Sequence, residues 1–124
     1  MERKKEFRLS EERLCNIAKE LARVTGDDPC TIYLGGSQSP INKKFPTLRG
    51  DIDFFVFPSD FNPKNEADWK RYASKIMSID KQKRVLEKSI GRRIDYSYLP
   101  MKQQKTVPNL VRLCSNDFSC RRKR

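Results

Sequence analysis

The segment Asp51-Ile52-Asp53-Phe54-Phe55-Val56-Phe57, closed by Pro58, constrains this chain more than any other. Its β-branched and aromatic content predicts a strand, and its apolar run predicts a strand covered on both faces. Side chains alternate along a strand, so Asp51 and Asp53, two residues apart, project from one face. Two carboxylates inside an apolar strand repel one another and lose solvation unless a cation neutralises them or one takes up a proton. Any fold for this sequence must bring something to that position.

The flanking pattern supplies a scaffold. Ser10 can cap a helix that carries Glu11 and Glu12 in its first turn and Leu14, Ile17, Ala18, Leu21 and Ala22 on one apolar stripe, ending near Gly26. After the Asp27-Asp28-Pro29 turn, Cys30 to Leu34 reads as a buried strand stopped by Gly35 and Gly36. Gln38 to Arg49 holds Pro40 and Pro46, which predict a basic loop rather than a long helix. From Asn65 to Ile90 the period turns helical, with a break near Ser78 and with Trp69, Tyr72, Ala73, Ile76 and Met77 predicted to face the core. Arg93 to Leu99 alternates like a strand, and Pro108 to Cys114 reads as a short helix. The 124 residues suit one domain, residues 1–124, of mixed α/β (α+β) class, with basic ends near 1–8 and 115–124.

Charge narrows the partners. With 27 Lys and Arg against 16 Asp and Glu and no His, the net charge is +11, which favours polyanions, although basic ends also serve solubility. No apolar run approaches the ~20 residues that cross a bilayer, so the reading is a soluble, cytoplasmic protein without a membrane partner. The four cysteines form no C-x-x-C pair, which argues against structural zinc. Cys15 and Cys30 fit buried thiols, while Cys114 and Cys120 could pair only in an oxidising compartment.

Gly35 and Gly36 let backbone approach a phosphate, and Ser37 adds a hydroxyl, although glycines also make a plain turn after any strand. Asp95 on the last strand can supply a third carboxylate if its strand neighbours that of Asp51. Mg²⁺ prefers carboxylate and phosphate oxygens, and two ions ~4 Å apart can clamp both oxygens of a phosphoryl transfer. Leu34-Gly35-Gly36-Ser37 followed by Asp51-Ile52-Asp53-Phe54, with Asp95 later, resembles the signature of the nucleotidyltransferase superfamily that includes DNA polymerase β. The likeness runs from about Cys30 to Leu99 and is nearest to minimal, single-domain members. Pro40 and Pro46 interrupt the helix that usually follows the Gly-Ser, and Gly50 stands where minimal members often have Ser.

That resemblance implies a small mixed sheet flanked by helices and transfer of a nucleoside monophosphate from a nucleoside triphosphate, ATP among them, to an acceptor hydroxyl on RNA, protein or a small molecule. Asp51, Asp53 and Asp95 would be the catalytic metal ligands for two Mg²⁺ ions, and Gly35, Gly36 and Ser37 would contact the triphosphate. Lys43, Lys44 and Arg49 lie on the loop that should border the nucleotide and could neutralise its charge, as could Arg92 and Arg93, or all five could be solvated surface. The missing second domain suggests a separate helical partner subunit. The alternative is a catalytically inactive, basic nucleic-acid-binding module with the same fold.

Overall fold

The computed structural model describes residues 9–36, 39 and 51–113. Helix α1, Glu11–Thr25, begins where the Ser10 hydroxyl accepts the Arg13 amide at 3.1 Å and ends at Gly26. A 3-10 turn at Pro29–Thr31 leads into β1, Ile32–Gly35, so the expected strand starts two residues late. The Asp28 side chain causes the delay by capping that turn through the Cys30 amide. Strand β2 is Ile52–Val56 and β3 is Ile94–Tyr98. Between them α2, Glu66–Ser78, and α3, Asp80–Ile90, abut at Ile79, which is buried and pins the break into the core.

The four-stranded mixed sheet has the order β3-β2-β1-β4, with β2 and β3 parallel and β1 antiparallel to both of its neighbours. The fourth strand, β4, is Val111–Arg112. A 3-10 turn at Met101–Lys105 follows β3, and β4 stands within the span Pro108 to Cys114 where the sequence suggested a helix. Pairing with Tyr33 and Leu34 decides that conformation, an interaction that local helical spacing does not register.

One face of the sheet carries the core. Ile32, Leu34, Ile52, Phe54, Val56, Ile94 and Tyr96 pack with the predicted α1 stripe, Tyr72 and Ile79 in a single cluster. The opposite positions, Tyr33, Asp53, Phe55, Asp95 and Ser97, are half-buried. Strand β2 is therefore not covered on both faces as its apolar run suggested; it alternates, and Phe55 lies over Gly35 on the second face. The α2 stripe is also corrected, because Tyr72 reaches the core while Trp69 is 56% and Met77 76% exposed.

Cys15 and Cys30 are disulfide-bonded rather than thiols, and no described cysteine is free. Such bonds persist in oxidising surroundings, which the cytoplasmic reading did not anticipate. Among the described residues no helix is long and apolar enough to cross a membrane. The basic segments 1–8 and 115–124 lie outside the described residues.

Candidate active site

Register builds the site. Gly35 pairs with Asp53 across β1 and β2, and Asp53 pairs with Asp95 across β2 and β3, so the three residues form one row over three strands. Strand alternation turns this row to the face opposite the helices, since its neighbours Leu34, Phe54, Ile94 and Tyr96 are buried in the core. Because β2 and β3 run parallel, both acidic residues sit near the starts of their strands, where antiparallel β1 delivers Gly35 and Gly36. Asp51 lies just before β2, half-buried, on the side chosen by the two-residue spacing.

Like charges placed side by side on adjacent strands destabilise a sheet. The cost falls on Asp53, whose carboxyl rises from an ordinary 3.8 to about 6, chiefly through burial, then through a hydrogen bond with Asp95 and the charges of Asp95 and Asp51. Asp53 is thus the member that holds a proton when nothing else relieves the repulsion, and Asp95 accepts the hydrogen bond. The raised group marks a position that gains from a cation.

Gly36 closes the other side. Its φ is +67°, and a Cβ there would stand 2.4 Å from Asp53 Oδ2, so backbone is pressed against the carboxylate and a side chain is excluded. Gly35 is similarly enclosed, since its Cβ would meet the Phe55 ring at 3.0 Å and the Pro108 carbonyl oxygen at 3.3 Å. The Gly36 amide donates to that same carbonyl at 3.4 Å. The sequence signalled the glycine–aspartate approach through its motif but gave no sign of Pro108, because the fold-back of residues 106–111 depends on β4 pairing.

Of the residues singled out in the sequence, Gly35, Gly36, Asp51, Asp53 and Asp95 gather at this end of the sheet. Ser37, Lys43, Lys44 and Arg49 lie outside the described residues. Arg93 borders the site, its carbonyl accepting the Ile52 amide at 2.9 Å between Asp51 and Asp53.

Among the described residues no three acidic or thiol side chains close into a ready-made metal cage. The arrangement is a close pair, Asp53 and Asp95, with Asp51 acting on Asp53 through its charge. That fits Mg²⁺, which binds through one or two carboxylates and completes its shell with water and substrate phosphates rather than with an all-protein cage. The donor set is hard oxygen throughout, and its unrelieved repulsion is of the sign a divalent cation removes.

A second carboxylate was read in the sequence only as part of a turn. Asp27 is mostly buried and accepts from the hydroxyls of Thr25 at 2.7 Å, Tyr96 at 2.8 Å and Tyr98, with the Lys75 ammonium at 3.3 Å. Burial, ahead of the effects of Asp27, pushes both tyrosine hydroxyls well above their usual range. Each donor is therefore held in its protonated form, and Asp27 ties the end of α1 to β3 and α2.

No protein-family model matches the chain, and comparisons with curated proteins and with solved structures return no match.

Proposed function

We propose that this chain is a metal-dependent nucleotidyltransferase. The carrying observation is the row Gly35, Asp53, Asp95, in which a glycine end suited to phosphate faces two carboxylates that cannot both ionise without cost. In the reaction an acceptor hydroxyl oxygen bonds to the α-phosphorus of a nucleoside triphosphate, the bond from that phosphorus to the β-bridging oxygen breaks, and pyrophosphate leaves with the electron pair. The hydroxyl proton must be taken up near Asp95, which borders the acceptor side.

Asp51 and Asp53 are the residues to hold an ion on the nucleotide side, and Asp95 joins them on the acceptor side. Bound Mg²⁺ would supply charge neutralisation for the triphosphate and for the reacting oxygens. Gly36, whose backbone meets Asp53, borders the position of the triphosphate, and the sequence reading adds Ser37, Lys43, Lys44 and Arg49 on the segment that follows. Asp53 contributes only when ionised, and bound Mg²⁺ would favour that form, so activity should rise with pH at or below the range near 6 where the metal-free carboxyl ionises.

The test is incorporation of label from each α-labelled nucleoside triphosphate into RNA, protein and small hydroxyl acceptors, with and without Mg²⁺. We expect Mg²⁺-dependent incorporation that falls at least 100-fold in Asp53→Asn, in line with loss of a principal electrostatic group. Equal incorporation by the wild type and by the Asp51→Ala/Asp53→Ala variant would end the proposal. Salt-sensitive RNA binding by a wild type that incorporates nothing would assign the chain to the non-catalytic nucleic-acid-binding class.

A further inference from the structure

The outward side of α3 and the turn after it form a groove of about 700 Å³. Five cations line it, Lys81, Arg84, Lys88, Arg92 and Arg93, against two carboxylates, Asp80 and Glu87. Each carboxylate has an internal role: Asp80 lies 3.2 Å from Arg84 one helical turn along, and Glu87 accepts the Ile94 amide at 2.7 Å. Lys81, Arg84 and Lys88 recur at helical spacing and make one stripe, which at 1.5 Å per residue extends roughly 10 Å along the axis. Arg84 is 77% exposed, and its pair with Asp80 is an exposed, solvent-screened one for which a phosphate can compete.

The position of the groove is more informative than its charge. Strand β3 is the edge of the sheet, so no further strand separates Asp95 from this side of the molecule. Arg93 is two residues before Asp95, and its carbonyl receives the amide of Ile52 beside Asp51. Across the sheet the order is thus Gly35, Asp53 and Asp95, and beyond the β3 edge comes α3, whose Glu87 accepts the Ile94 amide. The glycine side suits the triphosphate, and the groove lies on the acceptor side.

We infer that the α3 groove binds the phosphate backbone of single-stranded nucleic acid and presents the terminal hydroxyl of that strand to Asp95. The inference rests on the nucleotidyl-transfer reading and assigns its acceptor. A line of cations favours a ligand with regularly repeated charge, and a nucleic-acid strand supplies both the repeated phosphates and the hydroxyl. Val85, 57% exposed among these cations, offers apolar contact to a base.

The test uses the full chain and a fluorescent single-stranded RNA 12-mer, titrated without nucleotide at several salt concentrations. For three to four phosphate contacts, log K against log salt should fall with a slope of about −2 to −3. Arg84→Glu/Lys88→Glu should weaken binding at least 10-fold at low salt and flatten the slope by about 1.4, the share of two single-strand contacts. Arg13→Glu/Arg23→Glu carries the same charge change on α1 and should alter binding less than 3-fold. Melting curves of both double variants establish that they fold.

Equal weakening by the α1 and α3 variants, or undiminished binding by the α3 variant, overturns the groove. So does displacement of the RNA by polyglutamate at equal charge concentration, which would make the ligand an acidic peptide. If charge reversal on α3 abolishes RNA binding but no Asp53-dependent transfer to RNA occurs, the groove stands and the transfer reading falls. If Asp53-dependent transfer proceeds equally in wild type and α3 variant, the groove falls and the transfer reading stands.

Discussion

Strand β3 separates two carboxylate environments that teach opposite lessons. On its helix-covered side, Tyr96 and Tyr98 donate to Asp27, which also receives Thr25 and Lys75, so a mostly buried charge is surrounded by hydrogen-bond donors and cation. On the other side, Asp95 and Asp53 face one another with Asp51 close behind, and the charge is surrounded by more charge. The first arrangement is complete and holds elements together. The second is relieved by a proton or a cation, which marks it as a place for a ligand.

Removal of each carboxylate separates these roles. Asp27→Ala leaves two buried tyrosine hydroxyls, a threonine and a lysine without their acceptor, and should cost about 3 kcal/mol in chemical unfolding. Asp53→Asn should cost nothing or stabilise the metal-free protein, because it deletes a repulsive charge. Comparable destabilisation by the two would erase the distinction between anchor and site.

Gly36→Ala comes next. It forces a side chain into left-handed backbone at +67° and against Asp53 Oδ2, and should cost about 1–2 kcal/mol, with a larger proportional loss of triphosphate binding. An alanine variant with wild-type stability and nucleotide affinity would show that the close approach carries no function.

A smaller effect sharpens the comparison through pH. Asp53 binds its proton more tightly in the folded chain, so its own contribution to metal-free stability is fully present below the unfolded value of 3.8 and is lost as pH rises to about 6. Unfolding midpoints at successive pH values should show this decline in the wild type and lose its Asp53 share in Asp53→Asn. Mg²⁺ should offset the loss above pH 6, where the site is ionised, and have little effect below pH 5.

The least effect is expected at Trp69. With 56% of its surface exposed, Trp69→Ala should shift stability by about 0.5 kcal/mol, whereas truncation of Tyr72, which contacts Phe61 and Tyr98 at ring separations of 4.8 Å, should cost several times more. Chemical denaturation of the two variants side by side checks this.

Those two aromatic residues also show what the sequence could and could not convey. Helical spacing identified the α1 stripe because that helix packs along its whole face, β-branched and aromatic content identified β2, and alternation identified β3, where period and burial coincide. The same spacing placed Trp69 and Met77 inside, yet α2 meets the sheet through Tyr72, with Ile76 only partly buried. Asp51, Asp53 and Asp95 were legible from their strand contexts, while their juxtaposition required the parallel pairing of β2 with β3, a contact across 42 positions that local pattern does not encode. Asp27 was invisible as an anchor, since a turn aspartate looks the same whether solvent or two tyrosines receive it. The disulfides of Cys15 and Cys30 were missed for a related reason, because spacing alone does not distinguish a buried thiol from half of a bridge.

On the proposed reading, the Asp53–Asp95 row takes up a divalent cation together with a nucleoside triphosphate. Isothermal titration of the chain at pH 7.5 with a non-hydrolysable triphosphate analogue, in Mg²⁺ and in EDTA, measures this uptake. Binding should require Mg²⁺, weaken at least 10-fold in Asp53→Asn and persist in Arg84→Glu/Lys88→Glu. Equal affinity with and without Mg²⁺, or undiminished affinity in Asp53→Asn, would contradict it.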